Sequence, residues 1–502
     1  MSINIAVLGT ASDVGKSLCA TALCRIFHDM GLNVAPFKAQ NMSNNSFVSL
    51  DQGELARAQA VQAHAACIEP SVHMNPILLK PLNNTTSQII VHGKVLENKS
   101  ARDYFVDTKF FKEKAFSSLD YLNSHFDMVI LEGAGSCAEI NLRACDFTNF
   151  EAAHHANAHV ILVADIDRGG VFAQVCGTLD LLGKKDLSRV KGIIINRFRG
   201  DIELFKDGVD FIEKKTNLPV LGVIPFFSDI HIDSEDGLPL DAVVDPQKAL
   251  EKKLINIAVL LLPHISNFTD FFPLNISQLS CLHFLRKPRN LSGYDLLLIP
   301  GSKNVRSDLN WLHHSGWSAE ILRFRKKGGS IGGICGGYQM LGEKIHDPNA
   351  IESSAGETLG LSLLPIETTL DKNKQLHRIE GECLNTRQII QGYEIHHGIT
   401  KKTKKCHSFI KIISQNSIVI NREDGAMSDD NKVWGCYVHG LFDLPHFRFS
   451  FLQSLTNKKI NWSEITSQPN QSSERDNYHK LAHHFRSHLD MRKLKNIAGI
   501  SS

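Results

Sequence analysis

GTASDVGKS, residues 9–17, decides the fold of the first half of this chain. The apolar run 3–8 precedes it and a helix-like segment, 18–30, follows, so it lies after a strand and before a helix, where a phosphate-binding loop must lie. Backbone N–H groups at the helix N-terminus are expected to surround phosphate oxygens, with Gly9, Thr10 and Gly15 shaping the loop. Lys16 is expected to neutralise the β- and γ-phosphates of ATP, and the Ser17 hydroxyl to reach Mg²⁺. Five residues separate Gly9 from Gly15, one more than in the commonest such loop.

Outward from the loop, short apolar runs recur at 33–37, 128–131, 159–164, 190–195 and 220–224, separated by helix-length segments. That alternation predicts a doubly wound parallel sheet. Ligands of such sheets gather at the carboxyl ends of the strands. Glu132, directly after 128–131, and Asp51, before a helix-like stretch 53–67, are therefore expected as further Mg²⁺ ligands, the alternative for each being a local cap. Asn196 is expected at the ATP site, and Asp167, Arg168 and Arg197 fall on the same edge, where an acceptor should meet the nucleotide. As isolated residues the two arginines fit surface ion pairs equally well. Lys80, between two prolines in NPILLKP (75–81), is either another acceptor-site residue or an ordinary exposed lysine.

The stretch 236–253, with two prolines and dense charge, reads as a linker between domains 1–235 and 254–450. In the second, GGICGGYQMLG (332–342) follows a short strand and opens a helix, the nucleophile-elbow arrangement with Cys335 as nucleophile. The helix N-terminus favours thiolate, and the backbone at Gly336 and Gly301 is expected to hold an oxyanion. His439, after a strand-like run about one hundred residues on, is the expected proton partner. Residues 451–502 read as a helical extension packed on this second domain, with 475–492 a solvated basic face.

The 502 residues are 42% hydrophobic and 22% charged, a composition that supports two or three globular domains. Lys plus Arg number 55 against 53 for Asp plus Glu, a balance that argues against nucleic acid or an anionic membrane as partner. The eleven cysteines include no C-x-x-C pair and read as reduced thiols rather than a disulfide framework or zinc site. Without a signal-peptide pattern or an apolar run of about 20 residues, the expectation is a soluble, cytoplasmic protein.

Both motifs on one chain, together with KAQNMSNNS (38–46), ELARAQAVQA (54–63), LEGAGS (131–136), VADIDRGGVFA (163–173), ISNFTDF (265–271), IPGSKN (299–304), GYEIHHG (392–398) and YVHGLF (437–442), resemble the family of glutamine-hydrolysing cobyric acid synthases. That family joins a dethiobiotin-synthetase-like amidoligase to a class I, flavodoxin-like glutamine amidotransferase. The resemblance implies two doubly wound α/β domains and amidation of four carboxylates of adenosylcobyrinic acid a,c-diamide. L-Glutamine would supply the ammonia, and ATP with Mg²⁺ would drive the step through acyl phosphates. It implies a two-residue Cys335–His439 site, since Leu441 stands where many amidotransferases of this fold place a glutamate that orients the histidine, with another group fixing the imidazole, and it leaves room for a homo-oligomer. Other amidoligases of the same plan share this chemistry. A partitioning ATPase with a degenerate amidotransferase module is disfavoured by the presence of both Cys335 and His439.

Overall fold

The computed structural model describes residues 2–82, 85–106, 108–227, 254–276, 279–352, 354–462 and 474–500. The stretch read as a linker, 236–253, lies outside the described residues. In the N-terminal unit, β1 (Ile3–Gly9), β2 (Val34–Phe37), β3 (Met128–Glu132), β4 (His159–Asp165), β5 (Val190–Phe198) and β6 (Val220–Pro225) form one sheet in the order β6-β5-β4-β1-β3-β2. Every pairing is parallel. Successive side chains of a strand point to opposite faces, and both faces here are covered. Ile5 and Val7 enter one core with helix α1 (Lys16–Asp29), whereas Ala6 and Leu8 enter the other. The register sets Val7 opposite Glu132 and Asp165 opposite Asn196, which brings the polar strand ends to one edge.

Between β2 and β3 the chain builds smaller, mostly antiparallel structure where loops and one helix were expected. Gln40–Met42, Ile77–Pro81, Thr86–Val91 and Lys94–Ser100 form a four-stranded sheet. Ser46–Val48 pairs with Glu54–Ala56, and only then does helix α2 (Arg57–Ala65) begin. Asp51 therefore sits at a hairpin turn and not at a helix start.

The second unit repeats the parallel plan with β7 (Ile255–Leu260), β8 (Ser280–Leu285), β9 (Leu296–Ile299), β10 (Ser330–Ile334), β11 (Ala426–Met427) and β12 (Val433–Cys436), ordered β8-β7-β9-β10-β12-β11. Only β11 runs antiparallel. A second sheet, mostly antiparallel, grows around the long pair Ile366–Cys383 and Ile389–Lys402, and its edge strand Val438–His439 pairs with the latter so that Tyr393 faces His439. The five-residue helix α3 (Gly336–Met340) follows β10.

The end of the chain corrects the expectation for 451–502. Phe451, Leu452 and Ile460 do join the core of the second unit. Helices α4 (Glu474–His488) and α5 (Met491–Ala498) instead return to the N-terminal unit. Leu481, Ala482, Phe485, Leu489, Leu494 and Ala498 pack with Ile5, Val7, Ile26 and Phe27, because the face of β1 beside α1 would otherwise leave apolar side chains in water. Arg486 pairs with Asp29 at 3.0 Å, and the Asp490 N–H donates to the Leu221 carbonyl at 2.7 Å.

Candidate functional site

The phosphate loop closes as its spacing requires. Gly15 has φ 97° at the N-cap of α1, and a Cβ there would lie 2.1 Å from Asn196 Nδ2. Only glycine fits this approach. Asn196 in turn donates to the Val14 carbonyl at 2.9 Å, so it braces the loop from β5. Lys16 Nζ donates to Ala11 O at 3.0 Å and Gly135 O at 2.8 Å, spanning from the loop to the turn after β3. Thr10 is buried, with its hydroxyl 3.4 Å from Gln174 Oε1. Gly9 ends β1 as expected.

Glu132 is the centre of this site and is 1% exposed. Its Oε1 accepts from Ser17 Oγ at 2.7 Å and from Lys38 Nζ at 2.9 Å. Its Oε2 accepts from Gln62 at 2.5 Å and Gln59 at 3.4 Å. A carboxylate beside a hydroxyl at the mouth of a phosphate loop is a hard oxygen pair, of the kind Mg²⁺ takes when phosphate and water complete its shell. Ser17 and Glu132 fit that ion. Asp51 does not join them: it is exposed, and its carboxylate accepts from Ser49 Oγ within its own turn. The expectation of Asp51 as a metal ligand is corrected on that ground, since the helix it was to precede starts later, at Arg57.

Of the acceptor candidates, three share the carboxyl edge. Arg168 reaches Asp13 of the loop at 3.6 Å, Arg197 pairs with Asp165 at 2.9 Å, and Asp167 pairs with Arg199 at 2.7 Å. Lys80 is elsewhere, which corrects the fourth. It is a strand residue, buried, and donates to Ser46 Oγ at 2.6 Å and Glu54 Oε1 at 2.7 Å. It lines the cavity that contains Cys335.

Cys335 has φ 53° and ψ −109°, a strained turn between β10 and α3. Its amide is held by Cys436 O at 2.8 Å, and its Sγ lies 3.4 Å from Ile395 O. Gly301 lies beside the His439 imidazole, where a Cβ would sit 3.3 Å from His439 Cε1, and Gly336 opens the helix after the sulfur. The group that fixes the imidazole is Asp270, from the short helix Phe268–Leu274: its Oδ2 is 2.6 Å from His439 Nδ1, and its Oδ1 accepts from Gly440 N at 3.0 Å. Burial opposes the imidazolium, but Asp270 and the Cys335 sulfur together raise the His439 pKa to about 10. Sequence spacing missed Asp270 because it lies 169 residues before its partner; its only signal was an acid inside ISNFTDF.

The cavity wall also includes Lys303, Glu352 and Lys374. Burial pushes the Lys374 amine down to about 8 against the pull of Glu54, and lifts the Glu352 carboxyl to about 7.

A strained cysteine with an aspartate-oriented histidine, sharing a chain with a phosphate loop, agrees with what sequence comparison finds. Residues 5–240 match the CobQ/CobB/MinD/ParA nucleotide-binding domain, and residues 256–447 the CobB/CobQ-like glutamine amidotransferase domain. The chain is 51% identical to the cobyric acid synthase of Chlorobium phaeobacteroides (strain BS1) over 496 residues, 99% of each chain. It is 50% identical to that of Chlorobaculum tepidum over 498 residues, 99% of this chain and 98% of the relative, and 44% identical to that of Clostridium botulinum over 499 residues, 99% of each. The chain belongs to the cobyric acid synthase family. As a member of the cobyric acid synthase family it is a glutamine-dependent amidoligase with a nucleotide-binding half and an amidotransferase half. Among the described residues no helix is long and apolar enough to cross a membrane.

Proposed function

We propose that this chain converts adenosylcobyrinic acid a,c-diamide to adenosylcobyric acid by amidating the b, d, e and g carboxylates, one ATP and one glutamine for each. The observation that carries the proposal is the pairing of Glu132 and Ser17 at the phosphate loop with Cys335, His439 and Asp270 across a shared interface, in a chain of this family.

The Cys335 sulfur attacks the side-chain amide carbon of glutamine, and the imidazolium of His439 gives its Nε2 proton to the departing ammonia. Water then attacks the thioester, His439 takes a proton from it, and glutamate leaves with the thiolate restored. Asp270 accepts the Nδ1–H throughout and so keeps Nε2 turned to the sulfur. Backbone at Gly336 and Gly301 is proposed to hold the oxyanion.

At the other site a corrinoid carboxylate attacks the γ-phosphorus of ATP, the bond to the β,γ-bridging oxygen breaks and ADP leaves. The resulting acyl phosphate has a good leaving group where the carboxylate had none, and ammonia displaces phosphate to leave the amide. Lys16 neutralises charge on the transferring phosphoryl group. Mg²⁺, held by Ser17 and Glu132, would supply further charge neutralisation there. Arg168, Arg197 and Asp167, on the exposed edge beside the loop, are proposed to meet the acceptor's carboxylates and amides.

The test is the mass spectrum of products from purified chain, the a,c-diamide, ATP, Mg²⁺ and glutamine. Four successive carboxylate-to-amide changes are expected. An unchanged corrinoid, or amidation that ends before the fourth group, would refute the assignment.

A further inference from the structure

Residues 54–62 run from one reaction centre to the other. At their start Glu54 is fully buried, and its carboxylate joins the two halves of the chain: one oxygen accepts from Lys80 of the N-terminal unit, the other from Lys374 of the amidotransferase unit. Both lysines line the Cys335 cavity. Burial opposes the Glu54 carboxylate, yet Lys374 and Lys80 hold its pKa below the usual range.

Next along, Leu55 and Ala60 belong to an apolar cluster with Tyr393 and Ile395 of the other unit. Those two support the catalytic pair. The Tyr393 ring stacks on His439 with centroids 5.5 Å apart, and the Ile395 carbonyl is the group 3.4 Å from Cys335 Sγ. On the adjoining helix α2, Gln59 and Gln62 hold Glu132. One short strand and the first turns of one helix therefore touch the supports of both reactions.

We infer that residues 54–62 position both centres at once, so that occupancy of the phosphate site and the reactivity of Cys335 are linked. The inference rests on the reading above, in which 9–17 binds ATP and Cys335 takes glutamine. Gln59 and Gln62 hold Glu132 Oε2 while Ser17 and Lys38 hold Oε1, so a magnesium nucleotide taken up at Ser17 and Glu132 draws on the carboxylate that the two glutamines fix. A strand and helix packed on both sides shift as a unit rather than deform locally, so displacement at Gln62 is felt at Leu55 and Glu54. Linkage is reciprocal: whatever factor nucleotide exerts on glutamine-site affinity, the occupied glutamine site exerts on nucleotide affinity.

The experiment uses the full chain and 6-diazo-5-oxo-L-norleucine, a glutamine analogue that alkylates the nucleophilic cysteine. Its rate of attachment to Cys335 is followed by peptide mass spectrometry with and without a non-hydrolysable ATP analogue and Mg²⁺. The expected result is a rise of about fivefold with nucleotide, the lower end of common coupling factors. In Glu54→Gln, and in Glu54→Gln with Lys374→Met, which removes both members of the ion pair between the units, the ratio should fall to about one. Calorimetry on the alkylated wild-type chain should show nucleotide binding tightened, and amide exchange over 54–62 and 393–396 should slow together when nucleotide binds. The last two measurements need no variant to fold. A wild-type ratio of one while calorimetry shows nucleotide bound overturns the inference and leaves the two sites assigned. An undiminished ratio in folded variants, or exchange at 54–62 that ignores nucleotide, also overturns it. Failure of the chain to bind nucleotide or to alkylate at Cys335 overturns the site assignments themselves.

Discussion

Asp270 shows what a single side chain decides. With Asp270 present, His439 keeps Nε2 turned to the sulfur and is carried to a pKa of about 10, so the imidazole stays protonated through the neutral range. Asp270→Asn should therefore lower glutamine-dependent synthesis about a hundredfold or more, by analogy with the loss when a triad aspartate becomes its amide. Synthesis with ammonium salt should persist, and steady-state assays with the two nitrogen sources check both. Cys335→Ala should behave likewise, with glutamine use abolished and ammonium use kept. The pair also contributes to stability with a definite sign. The folded pKa of His439 lies above the unfolded value of about 6.5. The contribution is then fully present below about pH 6.5 and is lost as pH rises through about 10. The stability difference between wild type and Asp270→Asn, measured by urea unfolding, should be larger at pH 6 than at pH 10.

At the scale of elements, the end of β3 binds the N-terminal unit together through Glu132. Glu132→Gln should raise the Mg²⁺ concentration needed for synthesis, as the metal assignment requires. It also leaves the buried Lys38 amine facing a neutral amide, which should cost roughly 3–5 kcal/mol of stability, readable in thermal unfolding. Lys38→Met with Glu132→Gln should recover much of that stability and none of the synthesis. Local elements were legible in the sequence. The loop 9–17 and the elbow at Cys335 each consist of glycines, a functional side chain, a strand before and a helix after, all within about 20 residues. The strand ends were legible as well, because apolar runs mark buried parallel strands and the polar residue after each marks the edge. What failed was anything set by short antiparallel hairpins, whose strands are too brief for their alternation to show. Lys80 looked like a loop residue between prolines, yet Ile77–Pro81 pairs with Thr86–Val91 and turns its amine inward to Glu54. Asp51 looked like a helix start because Glu54–Ala56 is too short a strand to announce itself.

For the whole molecule, the telling feature is that α4 and α5 leave the amidotransferase unit and complete the core of the other one. Their place was illegible because an amphipathic helix declares that it has an apolar face and not which surface receives it. Phe485, fully buried, anchors them. Phe485→Ala should cost about 3–5 kcal/mol, and the loss should appear in the unfolding of the nucleotide-binding half, monitored by hydrogen exchange on β1 and α1, rather than in the amidotransferase half. The same arrangement governs how the chain is made. Residues 2–227 leave the ribosome long before 474–500, and at about 5–20 residues per second roughly 12–50 s pass before the last helices are synthesised. During that interval Ile5, Val7, Ile26 and Phe27 lack their final cover, so the nascent chain carries an uncapped apolar face that a chaperone can hold. A message that ends early yields a polypeptide with both reaction centres encoded and that face still bare, marked for proteolysis by its own exposed core.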